Sequence, residues 1–134
     1  MARLLDSDLT EGILCDVGMP LLHDGVRYNC RVFVLDRRVV LIRPKMDLAD
    51  DGNYRESRWF TAWPRDAPLS ECRLHAVVTA VTGQTHAPIG GALLELRDAC
   101  VAAETCEELF TVCCHSIDEK RDVLLVERNA HAWS

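Results

Sequence analysis

Cys106 and Lys45 are the two side chains whose types could together do nucleophilic chemistry in this sequence. A cysteine is only a few per cent thiolate at neutral pH. It becomes a nucleophile where a cation, a helix N-terminus or a base favours the thiolate. Cys106 follows a strand expected over 99–103 and precedes helix-like spacing at Leu109, Val112 and Cys113. Strand, sharp junction and helix in that order present a side chain at the end of a sheet, beside unpaired N–H groups and a partial positive field. Lys45 supplies the cation. It follows Pro44, which cannot donate to a ladder, so the lysine is expected just past a strand, where the chain leaves the sheet. A lysine beside the reacting carbon could stabilise a tetrahedral oxyanion together with the N–H of Glu107. A core thiol and a surface ammonium would look the same on these grounds alone, so the surrounding elements matter.

The first half reads as β. Residues 12–19 predict a strand stopped by Pro20. Residues 26–35 are rich in β-branched and aromatic side chains, and they pair as a hairpin with 38–42 about Asp36 and Arg37. Residues 46–68 are irregular, broken by Gly52-Asn53, Pro64 and Pro68, and expected to be anchored by Trp59, Phe60 and Trp63. Residues 69–81 fit either a short helix or a strand. Strands follow over 92–96, after Gly90-Gly91, and over 99–103, after a turn at Arg97-Asp98. A last one is expected over 122–127.

The 134 residues suffice for one core. With 49% hydrophobic and 27% charged residues, the composition is that of a soluble globular protein. No apolar run approaches the roughly 18 residues of a membrane span, and Asp6 and Asp8 interrupt any secretory apolar core. A cytoplasmic protein without membrane contact is expected. A net charge of −6 with scattered basic residues argues against nucleic acid as a partner. Seven cysteines without a secretory leader argue against a disulfide framework and make most of them small buried hydrophobes. No metal is expected: there is no C-x-x-C pair, and adjacent Cys113 and Cys114 on a helix would point apart. His23, His75, His86 and His131 are isolated in sequence.

The segment 43–60, from Arg43-Pro44-Lys45 through Asn53-Tyr54-Arg55-Glu56 to Trp59-Phe60, taken with Ala103-Glu104-Thr105-Cys106-Glu107-Glu108-Leu109-Phe110, resembles the nitrilase superfamily. More narrowly, it resembles the glutaminase domain of glutamine-dependent NAD synthetases. The blocks 15–20 and 26–32 are similar to the same family at the same relative positions. The resemblance implies an α/β fold, part of an α-β-β-α sandwich with a mixed sheet, hairpins and a helix after the nucleophile. It makes residues 1–134 a partial carbon–nitrogen hydrolase domain, strongest over 12–110, with a divergent tail at 111–134.

By that resemblance Cys106 is the nucleophile that forms a γ-glutamyl thioester, and Lys45 is the triad lysine. Glu56 supports the lysine and substrate, while Glu107 and Tyr54 border the glutamine pocket. On the residues alone, Glu56 could instead pair with Arg55 or Arg58. The substrate implied is glutamine, and the ammonia released would amidate deamido-NAD. No cofactor belongs to this fragment, because ATP and deamido-NAD belong to a synthetase domain that lies outside it. Assembly as a homo-oligomer or pairing with a synthetase domain is implied.

One departure bears on activity. The family's catalytic glutamate lies upstream of the lysine, and the sole glutamate before Lys45 is Glu11, in the wrong context. Weak or absent hydrolysis by this chain is therefore expected. Two other readings stand beside this one: a non-catalytic truncated paralogue serving as a binding or assembly module, and a cysteine-rich redox or metal protein.

Overall fold

A computed structural model describes residues 1–111 and 122–125. The chain begins with a single helical turn, α1 (Ala2–Leu5), and runs into three long strands, β1 (Cys15–His23), β2 (Val26–Leu35) and β3 (Arg38–Pro44). Two tight turns join them, and both require positive φ at two successive residues. Asp24 (φ 49°) and Gly25 (φ 79°) close the first, and Asp36 (φ 48°) and Arg37 (φ 62°) close the second. The second turn lacks glycine and is held from outside. Arg37 N donates to Thr10 Oγ1 at 2.9 Å, and Gly12 N donates to Asp36 Oδ1 at 2.6 Å.

The expected hairpin is present with its turn at Asp36-Arg37, and Lys45 lies directly beyond β3 as anticipated. The stop at Pro20 is corrected. β1 runs through Pro20 to His23, because β1 is an edge strand where a missing N–H leaves no ladder bond unmade.

Beyond β3 the chain wanders through 45–69 with a 3-10 turn at Glu56–Arg58. The ambiguous stretch 69–81 contains both options, β4 (Ser70–Arg73) and α2 (Ala76–Thr82). β5 (His86–Ile89), absent from the sequence reading, pairs antiparallel with β4 and meets β3 in parallel at Ile42 and Ile89. The five-stranded sheet has the order β1-β2-β3-β5-β4. A second sheet has β6 (Ala92–Glu95) at its centre, antiparallel to β7 (Cys100–Val101) and parallel to β8 (Asp122–Leu125).

The layers follow from the alternation of side chains along β2 and β3. One face of the large sheet buries Tyr28, Cys30, Val32, Val34, Val39 and Ile42, covered by Leu5 of α1 and by Val78 and Val81 of α2. The opposite face turns Phe33 and Leu41 onto Ala92 and Leu94 of the second sheet. Helix, sheet and sheet therefore stack in order, as a nitrilase-like α/β sandwich requires. A bulge between Phe33 and Val34 keeps both faces in register.

Candidate functional site

The site stands at the end of the β2–β3 ladder. Leu41, Arg43 and Lys45 alternate onto the face toward the second sheet, so an apolar contact, a guanidinium and an ammonium follow one another along one line. Lys45 is 3% exposed. Its N–H donates to Asn29 O at 2.7 Å, which extends the ladder by one rung, and its carbonyl accepts from Trp63 N at 3.0 Å. Trp63 is itself buried and packs edge-on against Tyr28, with ring centroids 5.1 Å apart.

The Lys45 ammonium is ion-paired with Glu56 Oε2. The same oxygen accepts from Ala49 N at 2.6 Å, and Oε1 accepts from Asn29 Nδ2 at 3.1 Å. Burial pushes the Glu56 carboxyl up, but the Ala49 N–H, the Lys45 ammonium and the Asn29 amide outweigh it and hold the carboxyl below its ordinary value. The alternative pairing of Glu56 with its sequence neighbours is not the one adopted. Arg55 Nη1 turns instead to the carbonyls of Gly52 and Tyr54. Asn29, which sequence reasoning missed, contributes both a backbone acceptor and a side-chain donor to this corner.

Cys106 is exposed and takes φ 53°, a left-handed conformation that a side chain with a Cβ adopts at a cost of about 1–2 kcal/mol. Where a regular helix through Leu109, Val112 and Cys113 is expected, the described residues form a four-residue 3-10 turn, Cys106–Leu109, and Val112 and Cys113 lie outside them. The positive φ at Cys106 cannot enter an α-helix, and so short a turn carries little dipole. Presentation of the thiol thus comes from the sharp turn rather than from a helix field.

The largest omission of the sequence reading is Glu108. Its side chain is fully buried, and its two oxygens accept from Arg43 Nη1 at 2.5 and 2.6 Å. Oε1 also accepts from Met46 N at 2.7 Å, and Oε2 from Thr105 N at 2.8 Å. One carboxylate therefore joins the residue after Lys45 to the residue before Cys106. Thr111 Oγ1 adds a bond to Asp47 Oδ2 at 3.2 Å. The lysine and cysteine segments are neighbours for these reasons. The Thr105-x-x-Glu108 spacing of a capping box signals the bond to Thr105 but not those to Arg43 and Met46.

The other expected residues lie nearby with less to hold them. Glu107 is half-buried, with its carbonyl accepting from Phe110 N at 3.0 Å. The Tyr54 ring is open to solvent, two residues before Glu56. Glu11 sits at the opposite end of β3, beside the Asp36 turn, about 20 Å away at roughly 3.3 Å per strand residue.

Two expectations are corrected. Trp59 is 65% exposed and anchors nothing, whereas Trp63 is the anchor. Of the five described cysteines, all free, only Cys30 and Cys72 are buried, Cys15 is half-buried, and Cys100 and Cys106 are exposed. Cys113, Cys114, His115 and His131 lie outside the described residues. Among the described residues no group of three His, Cys, Asp or Glu side chains could hold a metal, and no helix is long and apolar enough to cross a membrane.

No family model matches the chain. Over 130 residues, 97% of its length, it is 48% identical to a mouse glutamine-dependent NAD(+) synthetase and 47% identical to the human one. A glutamine-dependent NAD(+) synthetase of Dictyostelium discoideum is 49% identical over 108 residues. The chain spans 18% of the mouse and human proteins and 15% of the Dictyostelium protein. A crystal structure of a glutamine-dependent NAD(+) synthetase from Cytophaga hutchinsonii matches 79% of this chain and 16% of its own, with a TM-score of 0.65 and 29% identity. Layers and strand order define the class as a nitrilase-like α/β sandwich. Over its matched length the chain is similar to glutamine-dependent NAD(+) synthetases, of which it spans less than a fifth.

Proposed function

We propose that the chain is part of the glutamine-hydrolysing module of a cytoplasmic glutamine-dependent NAD synthetase, with Cys106 as nucleophile and Lys45 as the cation beside it. In this reading the Cys106 sulfur attacks the side-chain amide carbon of glutamine, and Lys45 and the Glu107 N–H stabilise the oxyanion. Ammonia leaves, the γ-glutamyl thioester is hydrolysed, and the ammonia serves the amidation of deamido-NAD. Glu56 holds the ammonium in place, and Glu107 and Tyr54 border the amide's pocket. ATP and deamido-NAD are bound by a synthetase domain, with which this module pairs. The observation that carries the reading is the shared carboxylate of Glu108, which brings the segments of Lys45 and Cys106 together.

The 134-residue chain by itself hydrolyses glutamine weakly or not at all. Glu11 is remote from Lys45, and the carboxylate on the ammonium, Glu56, is already occupied by three donors. Loss of a general base typically costs about 10²–10⁴-fold.

The test pairs two measurements on the purified chain: ammonia release from glutamine, and covalent labelling by a diazoketone analogue of glutamine with the site mapped by mass. The expected result is labelling at Cys106 that glutamine suppresses, with ammonia release near background. Robust ammonia release would overturn the claim of weak activity. Absence of labelling at Cys106 would overturn the assignment of the nucleophile and leave a non-catalytic assembly module, a reading that the exposed Trp59, Leu109 and Phe110 favour.

A further inference from the structure

We propose that Glu108 is a positioning residue for the cysteine, its buried carboxylate setting the Cys106 turn against the Lys45 segment so that the thiol stands out from it. This rests on the assignment of Cys106 and Lys45 given above and adds a residue that neither touches substrate nor carries the chemistry.

Cys106 holds a strained backbone conformation. Four non-glycine residues among those described have positive φ, and three of them, Asp24, Asp36 and Arg37, belong to the hairpin turns that demand it. Cys106 is the fourth, and no hairpin fixes it. A left-handed residue of this kind persists where its surroundings over-determine it. Little in the turn's backbone can do so, and its capping box with Thr105 runs through the Glu108 carboxylate, which accepts from Thr105 N at 2.8 Å. The turn's own backbone bonds are Glu108 N to Thr105 O at 3.3 Å and Phe110 N to Glu107 O at 3.0 Å. Leu109 and Phe110 are exposed, so among the described residues no apolar clamp from the turn seats it.

Glu108 is the element that remains. Each of its oxygens takes one bond from the Arg43 guanidinium and one from a backbone amide. A carboxylate serving only to neutralise Arg43 would need neither amide. The amides come from Thr105, on one side of the cysteine, and Met46, on one side of the lysine. The guanidinium comes from Arg43, two residues before that lysine. The bond to Thr105 N fixes the entry to Cys106, while those to Arg43 and Met46 tie the turn to both flanks of Lys45.

The cysteines of the chain provide the readout. Cys100 is exposed without any such brace, and Cys30 and Cys72 are buried, with burial and the neighbouring Cys72 pushing the Cys30 thiol up to about 12 against the opposing effect of Arg43. Alkylation by iodoacetamide, followed residue by residue by mass, therefore measures presentation at Cys106 against a free thiol, with two sentinels for unfolding.

In the wild-type chain Cys106 is expected to react about tenfold or more faster than Cys100, and Lys45→Met is expected to remove that advantage. Glu108→Gln is expected to reduce the Cys106-to-Cys100 ratio by about tenfold while Cys30 and Cys72 stay protected, since misplacements of about 1 Å carry penalties of that order or larger. If Glu108→Gln exposes the sentinels, the double variant Arg43→Met with Glu108→Gln leaves no unpaired buried charge, and the same drop is expected in it with the sentinels protected. A high wild-type ratio that survives in whichever variant stays folded overturns the positioning role alone. A wild-type ratio near one overturns the assignment of the nucleophile and this inference with it.

Discussion

The two halves of the site are built differently. The lysine half is redundant: the β2–β3 register, the Asn29 carbonyl, the Trp63 amide and a three-donor cage around Glu56 all hold it. The cysteine half is a four-residue turn with exposed apolar side chains, held mainly by the Glu108 carboxylate, with one further bond from Thr111 to Asp47. An ammonium on a rigid ladder and a thiol on a sparsely braced turn divide the site, with the lysine segment as fixed reference and the cysteine set against it. The difference also predicts where damage is absorbed and where it spreads.

The sharpest way to break this comparison is to delete one support from each half. Glu108→Ala leaves Arg43 buried and uncompensated, alongside two amides without an acceptor. It is expected to cost about 3–5 kcal/mol in denaturant unfolding. Asn29→Ala removes one neutral side-chain donor from a carboxylate with two others, and is expected to cost about 1 kcal/mol. Equal losses at the two positions would show that the lysine corner is no more redundant than the cysteine turn.

The same asymmetry governed what could be read from the residues. The hairpin was legible because β-branched runs and a two-residue turn are local signals, and so Lys45 was placed correctly just past Pro44. β5 was missed: four residues with a proline among them pair with β3 only across a long separation in sequence. Pro20 misled because an edge strand tolerates what a central one does not, and edge position is a property of the finished sheet. The cysteine's location was recognisable, but the role of Glu108 beneath it was not, since two of its three partners, Arg43 and Met46, lie more than sixty residues away. Between Trp59 and Trp63 the sequence carries no distinction at all.

A smaller effect sharpens the comparison through pH. Since the folded Glu56 carboxyl titrates below its ordinary value of 4.5, its contribution is complete above that value and is lost as pH falls through the lowered one. Glu56→Gln should therefore be less stable than wild type by about 1.5–3 kcal/mol at neutral pH, the range for hydrogen bonds to charged groups. That gap should narrow as pH drops below about 4.5. Unfolding of both proteins across pH 3 to 7 measures it. A gap that widens in acid would mean that the carboxylate is held against its environment rather than by it.

The smallest effect tests the loop that carries Glu56 toward the lysine. Trp63 is buried against Tyr28 and donates its backbone N–H to the Lys45 carbonyl, so it fastens the loop to the rigid half. Trp59 follows the Glu56–Arg58 turn directly, yet its ring is 65% exposed, and its backbone N–H, bonded to Glu56 O at 2.9 Å, survives any side-chain change. Trp59→Ala is expected to change stability by no more than about 0.5 kcal/mol, the usual range for surface substitutions. It should also leave Lys45 as protected from amine-reactive reagents as in wild type. A loss of Lys45 protection without a loss of stability would show that the lysine half depends on the loop's outer surface, and the redundancy assigned to it would have to be reduced by that support.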